Sequence, residues 1–471
     1  MNPIIMYGSA IIAVSIVIYM LIKQMDIKIS MFLMGIVLMF VGIAAGNGIA
    51  VKDFVGTGAV WLDPLLAIAQ QFQQTLTSAG FIILILGGYS AYMTAIGAND
   101  VTVSVITKPV SKIKSAYILV PIVFLLGNAL SLVIPSASNL AIILLATLYP
   151  VMRKAGMSTL TAAAVIATTA TVMPTPLGGD NVAIAQELAK YPEYMGMTVT
   201  DYVFRYHAVI SIPTIILMAV AHYFWQKFMD KRSKANDVDE VELQEVKAIE
   251  GGALYKTVYA LLPIFPIILL IVTYCLQTFA GMNINVNVEV ATMFSFALAI
   301  ICDVIKRKSG KQALQQTETF FKGMGGAMPI VALLVAATIF VTGLKSIGLI
   351  EALQDAMMNI QGSGLGFVLP LILVLLTALI VLLSGSGTAL FYAMVPLMVA
   401  LSTAAGISAI AVSIPMGLAG NLLRAVSPVS AVVLIVAGSV KKSPLEIVRR
   451  TSVPMIAGVV FMFVLSMILF L

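Results

Sequence analysis

Two short polar breaks sit at matching places in the two halves of an otherwise apolar chain. Pro135-Ser136-Ala137-Ser138-Asn139 interrupts one long hydrophobic run, and Ser384-Gly385-Ser386-Gly387-Thr388 interrupts another. Each is followed by a second broken hydrophobic segment with one charge in its interior, Asp180 in the first half and Arg424 in the second. Hydroxyls, glycines and a charge at membrane depth are costly unless they line a cavity. Paired discontinuous segments in two halves are the pattern of a secondary transporter's binding site.

The surrounding chain supports a membrane setting. Hydrophobic residues make up 60% of the 471 residues and charged residues 10%, a balance outside the range of soluble domains. Apolar runs of spanning length cover about 3–22, 29–49, 79–98, 158–190, 206–228, 257–279, 287–304, 327–347, 407–440 and 452–471, at roughly 20 residues per crossing. The stretch Pro3 to Leu21 lacks a basic leader and a small-residue cleavage site, so it reads as the first span. Cys275 and Cys302 fall in or at the end of apolar runs and read as core residues. The net charge of +6 sits in short loops, which excludes a nucleic-acid surface and leaves the lipid bilayer as the medium.

Basic residues orient the spans. They cluster at Lys23 and Lys28, at Lys108, Lys112 and Lys114, at Arg153-Lys154, and at Lys227, Lys231, Arg232 and Lys234. Further clusters are Lys306 to Lys311, Lys441-Lys442 and Arg449-Arg450. The positive-inside rule places them all in the cytoplasm. Both flanks of 115–152 are basic and both flanks of 366–403 are not. These two segments therefore read as re-entrant hairpins, the first from inside and the second from outside. With that reading the other spans alternate correctly and both termini lie outside.

The expected architecture is an all-α polytopic membrane protein with an inverted repeat. Residues 1–230 form the first repeat, with a hairpin at about 115–152 and a broken span at 158–190. Residues 231–254 form a cytoplasmic linker. Residues 255–471 form the second repeat, with a hairpin at about 366–403 and a broken span at 407–440. Asp201 to Arg205 and Glu446 to Arg450 precede the last span of each half and read as short interfacial amphipathic helices.

Helices are expected to restart near Asn139, near Thr388, after Thr175-Pro176-Leu177-Gly178-Gly179-Asp180 and at Ser427-Pro428, where N-cap residues and helix-starting prolines fall. Up to four half-helices would then offer free N–H groups at mid-membrane, an arrangement suited to an anion. Arg424, in Gly420-Asn421-Leu422-Leu423-Arg424, matches a carboxylate bidentately. The alternative is a buried salt bridge with Asp180. Asp180, the one acidic residue expected in the core, would carry a proton or hold Na⁺ with the carbonyls of Gly178 and Gly179. Otherwise it pairs with Arg424 or caps the helix at Asn181. Candidate substrate contacts are Ser136, Ser138, Asn139, Ser384, Ser386, Gly387, Thr388, Asn421, Arg424 and Ser427. No cofactor is expected beyond a coupling H⁺ or Na⁺.

Enzymes fit poorly. An intramembrane serine protease needs a histidine at the depth of its serine, and His207 and His222 lie near opposite ends of one expected span. An intramembrane aspartyl protease needs a second aspartate to share a proton with Asp180. An open channel is disfavoured by breaks that enter from opposite faces.

Several stretches together resemble the anaerobic C4-dicarboxylate carrier family DcuC, of the ion-transporter superfamily. They are Ala91 to Asp100, Ala221-His222-Tyr223-Phe224-Trp225-Gln226, the Ser384 to Gly387 tip with Phe391-Tyr392, Arg424 with Ser427-Pro428-Val429-Ser430, and Ser443-Pro444 leading to Arg450-Thr451-Ser452-Val453-Pro454. The resemblance runs along the whole chain. It implies transport of succinate, fumarate or malate across a bacterial inner membrane, as efflux, exchange or cation-coupled transport. It also implies a homodimer with a static scaffold and an elevator-like transport domain. The first tip and Thr388-Ala389-Leu390 depart from the Asn and Pro expected of relatives, which leaves a mono- or tricarboxylate as the alternative substrate.

Overall fold

The computed structural model describes residues 2–23, 25–51, 54–232, 251–284, 286–352 and 366–471. Every regular element in them is helical. Most of the expected linker at 231–254 lies outside the described residues. The first half contains α1 (Pro3–Ile22), α2 (Ile27–Ala44), α3 (Asp63–Thr75), α4 (Phe81–Ala95), α5 (Ala98–Thr107) and α6 (Ala116–Leu130). It continues with α7 (Ala137–Thr147), α8 (Tyr149–Lys154), α9 (Thr159–Ala167), α10 (Gly179–Leu188), α11 (Val199–Tyr202) and α12 (Ala208–Arg232). The second contains α13 (Ala253–Leu261), α14 (Phe265–Ala280), α15 (Val288–Arg307), α16 (Gly310–Gln316) and α17 (Glu318–Ser346). After the undescribed stretch come α18 (Val368–Ser384), α19 (Thr388–Met394), α20 (Met398–Ala405), α21 (Ala409–Leu423), α22 (Ala431–Ser439) and α23 (Pro444–Phe470).

Among the described residues ten helices are long and apolar enough to cross a membrane. Their outer faces carry exposed apolar side chains such as Ile11, Phe224, Ile301 and Val460, as lipid contact requires. The number agrees with the sequence reading, but the membership differs. Thr388–Ala405 qualifies, whereas 158–190 does not, because its break separates α9 from α10. In the first half α6 and α7 have 15 and 11 residues, about 22 and 16 Å at 1.5 Å per residue. Neither crosses a hydrocarbon core of about 30 Å alone.

The same caps recur at matching points of the two halves. Ser158 starts α9 by accepting from the Thr161 N–H, and Ser408 starts α21 by accepting from the Ile410 N–H. Thr198 with Asp201 and Ser443 with Glu446 form two capping boxes before the last helix of each half. These boxes correct the expected interfacial helices. Glu446 to Arg450 are the first turns of the continuous α23, and Asp201 to Arg205 run into α12 through a π turn at Val203–His207. Arg450 is accordingly a buried ion-pair partner of Asp230 at 2.6 Å rather than a surface cation.

One group of helices is locked by close contacts. A Cβ on Gly35 of α2 would lie 2.8 Å from Ile339 O, and one on Gly343 of α17 would lie 2.7 Å from Gly35 O. On the other side of α17, a Cβ on Gly87 of α4 would meet Ala327 Cβ at 2.7 Å, and one on Gly323 would meet Gly87 O at 2.7 Å. Small residues let backbones approach this closely. The triplet α2–α17–α4 has no room for an added methyl at these crossings and forms a stiff plate beside the site.

Candidate functional site

The two broken spans cross at their breaks. The first unwinds between Ala167 and Gly179, and Asn128 on α6 meets polar groups of Thr168 and Thr171 within it. Asn128 Oδ1 accepts from Thr171 Oγ1 (2.7 Å) and Thr171 N (3.1 Å), and its Nδ2 donates to Phe124 O and Thr168 O. The second tightens to a 3-10 turn at Arg424–Val426 and unwinds from Ser427 to Ser430. Two hydrogen bonds join the breaks. Arg424 Nη2 donates to Ala170 O at 2.5 Å, and Asn421 Nδ2 donates to Asp180 Oδ2 at 3.1 Å.

A cavity of about 230 Å³ opens at this crossing, below the roughly 300–1,000 Å³ of pockets for drug-sized ligands and so suited to a small molecule. Its polar wall includes Asp180, Asn181, Asn421, Arg424, Ser386 and Thr388, and its apolar wall includes Met173, Phe391, Met416 and Leu418. All lining residues but one come from the turn after α6, the two broken spans, the 386–392 segment and the start of α12. The exception is Ile330, on α17.

Of the candidate residues, Gly178, Gly179, Asp180, Ser386, Gly387, Thr388, Asn421 and Arg424 line this cavity together. Ser136, Ser138, Asn139, Ser384 and Ser427 do not. The first break is centred earlier than expected, so Ser131 and Pro135 reach the cavity instead. Ser136 is an N-cap that accepts from the Asn139 N–H, and Ser384 Oγ is spent on Ile380 O and Ser386 O. The helix after the break in the second broken span starts later than expected, at Ala431. Its cap is Ser430, accepting from the Val433 N–H, while Ser427 Oγ donates to Leu382 O.

Asp180 and Arg424 share the cavity without forming a direct ion pair within 4.0 Å. Asp180 is not the only buried acid, contrary to expectation. Asp303 is fully buried with Arg307 at 2.7 Å, and Glu187 is buried with Lys190 at 2.6 Å. Both have cations; among the described residues Asp180 accepts from the Asn421 amide and the Asn181 N–H. A Cβ on Gly178 would lie 2.6 Å from Asp180 Oδ1, so glycine there leaves the carboxylate its space. Ser386 Oγ donates to Thr388 Oγ1 at 3.2 Å. Gly385, at φ +78°, and Gly387 seat this tip: added Cβ atoms would meet Val429 O at 2.7 Å and Gly420 Cα at 2.9 Å.

Tyr392 and His207 are among the cavity residues outside the candidate set. Tyr392 brings its hydroxyl to Gly179, where a Cβ would lie 3.2 Å away. His207 is buried and lines the cavity. It is not near a span end, because the helix begins at Val199 rather than at 206. The Thr198 capping box was the available signal.

The profile of the family described as C4-dicarboxylate anaerobic carrier, DcuC, matches residues 6–471. The chain belongs to the DcuC family. The probable anaerobic C4-dicarboxylate transporter DcuC of Vibrio cholerae is 37% identical over 92% of this chain and 91% of its own length. The anaerobic C4-dicarboxylate transporter DcuC of Escherichia coli K12 is 34% identical over 92% and 90%. These relatives are carriers, so this DcuC member is a transporter and not an enzyme. Two solved structures share the fold: the Alcanivorax borkumensis transporter YdaH (TM-score 0.68, 14% identity, 94% of this chain and 97% of that one), and Neisseria gonorrhoeae MtrF, of a class of antimetabolite efflux pumps (TM-score 0.65, 13% identity, 93% and 94%). At that identity the likeness speaks for the architecture alone. The fold and the family together make the chain a multi-pass protein of a bacterial inner membrane.

Proposed function

We propose that this DcuC member carries C4-dicarboxylates (succinate, fumarate and malate), with Arg424 as the main anchor of one carboxylate. The observation that carries the proposal is Arg424 in the cavity without a carboxylate partner among the described residues. One guanidinium edge is fixed on Ala170 O, and the rest is available to an anion, for which Arg is geometrically matched. Ser386, Gly387 and Thr388 supply further donors from the second tip.

Charge argues for a coupled cation. A dianion brought beside ionised Asp180 and Arg424 leaves the site net negative, and such charge is expensive at membrane depth. A proton or Na⁺ at Asp180, helped by the carbonyls of Gly178 and Gly179, offsets it. The confinement of the lining to the hairpins, broken spans and α12, with Ile330 alone on the α2–α17–α4 plate, supports an elevator reading. In it residues 1–230 and 255–471 are inverted repeats joined by the cytoplasmic linker 231–254, the segments 115–152 and 366–403 re-enter from opposite faces, both termini lie outside, and two copies associate through their scaffolds.

Reconstitution tests the proposal. Uptake of labelled succinate, fumarate and malate into proteoliposomes is expected for the wild type and lost in Arg424→Ala. Unchanged transport in that variant overturns the role of Arg424. Transport of a mono- or tricarboxylate and of no four-carbon diacid overturns the substrate class. Imposed pH and Na⁺ gradients identify the cation.

A further inference from the structure

His207 closes the π turn Val203–His207 at the entry to α12. An extra residue in a helical turn re-aims the side chains around it, and such turns are frequent at functional sites. Here the turn puts a buried imidazole into the cavity wall. Nδ1 stands 3.0 Å from Ser211 Oγ, one helical turn further along. The Tyr202 ring meets the imidazole edge-on, with centroids 6.4 Å apart and planes at 72°. One ring nitrogen is thus held by a hydroxyl and the ring plane is fixed by packing.

His222, on the same helix, shows the contrast. Its ring packs at 4.9 Å from Phe124, Nδ1 lies 3.4 Å from Gln226 Nε2, and Nε2 is buried with no hydrogen-bond partner. It does not line the cavity and fills space in the core. Two histidines thus stand in different surroundings, one in the cavity wall and one in the packed core.

We infer that His207 is a further substrate-contacting residue, donating a hydrogen bond from Nε2 to a carboxylate of the transported anion while Ser211 holds Nδ1. The inference rests on the dicarboxylate reading of the same cavity. The hydrogen bond at one ring nitrogen sets the tautomer at the other. With the Ser211 hydroxyl donating to Nδ1, the proton of a neutral imidazole sits on Nε2, the form that can donate to a carboxylate. A neutral donor adds directional recognition without further charge. Arg424 reaches the cavity from the second broken span and His207 from the π turn before α12, so a diacid meets donors from separate elements.

Initial-rate succinate uptake in proteoliposomes tests this, with KM and Vmax separated. Loss of one hydrogen bond to a charged group corresponds to a tenfold or larger loss of affinity. His207→Phe, which keeps the ring's bulk, is expected to raise KM about tenfold or more with a smaller change in Vmax. His207→Gln, which keeps a donor, is expected to recover most of the loss. Ser211→Ala is expected to raise KM about threefold, and His222→Phe to leave it unchanged. If His207→Phe does not fold, Ser211→Ala and the stabilisation of purified protein by succinate carry the test. Unchanged KM and unchanged succinate-induced thermal shift in either variant overturn the role, as does a His207→Gln as defective as His207→Phe. A wild type that carries no C4-dicarboxylate overturns the functional reading, and this role with it. A wild type that carries succinate beside an unaffected His207→Phe overturns this role alone.

Discussion

Asn421 on the second broken span donates from Nδ2 to Asp180 Oδ2 on the first, at 3.1 Å. The bond joins two segments 241 residues apart in sequence. It is the one side-chain to side-chain hydrogen bond of Asp180, whose other described partner is the adjacent Asn181 N–H. Asp180 thus keeps acceptor capacity towards the cavity, where a cation would sit. Bonds to charged groups contribute about 1.5–3 kcal/mol. Asn421→Ala removes a donor that favours the bare carboxylate, so the cation concentration for half-maximal succinate uptake is expected to fall about tenfold, and Asp180→Asn is expected to abolish the dependence on an imposed pH or Na⁺ gradient. Gradient-driven uptake at the wild-type rate in Asp180→Asn would remove the cation from this site.

The seat of the second tip makes a separate prediction. A Cβ on Gly387 would stand 2.9 Å from Gly420 Cα and 3.0 Å from Val381 Cγ2, and backbone at Gly420 has little room to yield. Gly387→Ala is expected to lift the tip from the second broken span, with succinate uptake falling at least tenfold while the amount of inserted protein stays near wild type. Gly385→Ala adds a left-handed φ, a penalty of roughly 1–2 kcal/mol, to a 2.7 Å approach to Val429 O, so its defect is expected to be the larger. Uptake rates normalised to membrane-inserted protein decide the point, and wild-type rates in both would show that the tip need not be seated.

What the sequence made legible follows from how far each signal acts. Spans were readable because apolar length is a local property, and Asp180 and Arg424 because a charge within an apolar run is conspicuous wherever it folds. Caps were harder. Ser136, Ser430 and Ser427 look alike in sequence and all three have extended backbone; a helix follows directly after Ser136 and Ser430, which accept its N–H, whereas a turn follows Ser427, which donates to Leu382 O. His207 depended on where its helix starts. Polar Thr198 and Asp201 ended the hydropathy signal, yet their capping box begins the helix and carries His207 about two turns inside it. Ile330 left no local mark, because its place in the cavity comes from the packing of α17 on α2 and α4.

The buried pair at the end of α12 predicts a stability effect. Arg450 Nη1 meets Asp230 Oδ1 at 2.6 Å and Thr161 Oγ1 at 3.1 Å, and Ser158 Oγ donates to Asp230 Oδ1 at 2.8 Å. Removing one member of a buried pair costs about 3–5 kcal/mol, whereas replacing both by apolar residues of similar size is often close to neutral. Asp230→Leu and Arg450→Met alone are expected to lower the Tm of purified protein by several degrees each, and the double variant to recover most of the loss. Additive losses in the double variant would show that the pair is not the source of the stability.

Ile330 reaches the cavity from the α2–α17–α4 plate, while the other lining residues come from the turn after α6, the 386–392 segment, the broken spans and the entry to α12. If the second group moves against the first, the two kinds of residue must affect kinetics differently. A side chain on the moving unit accompanies the substrate through the cycle, so its removal changes binding wherever the site stands. A side chain on the plate meets the site at one end of its travel and acts mainly on how readily the site leaves or arrives. Phe391→Ala is therefore expected to raise the KM for succinate severalfold. Ile330→Trp, which thickens the wall, is expected to lower Vmax about tenfold with KM within about twofold of wild type, and Ile330→Val to transport at close to the normal rate. Initial rates over a range of succinate concentrations separate the cases. A rise in KM for Ile330→Trp that parallels Phe391→Ala, with Vmax unchanged, would mean that the wall travels with the site.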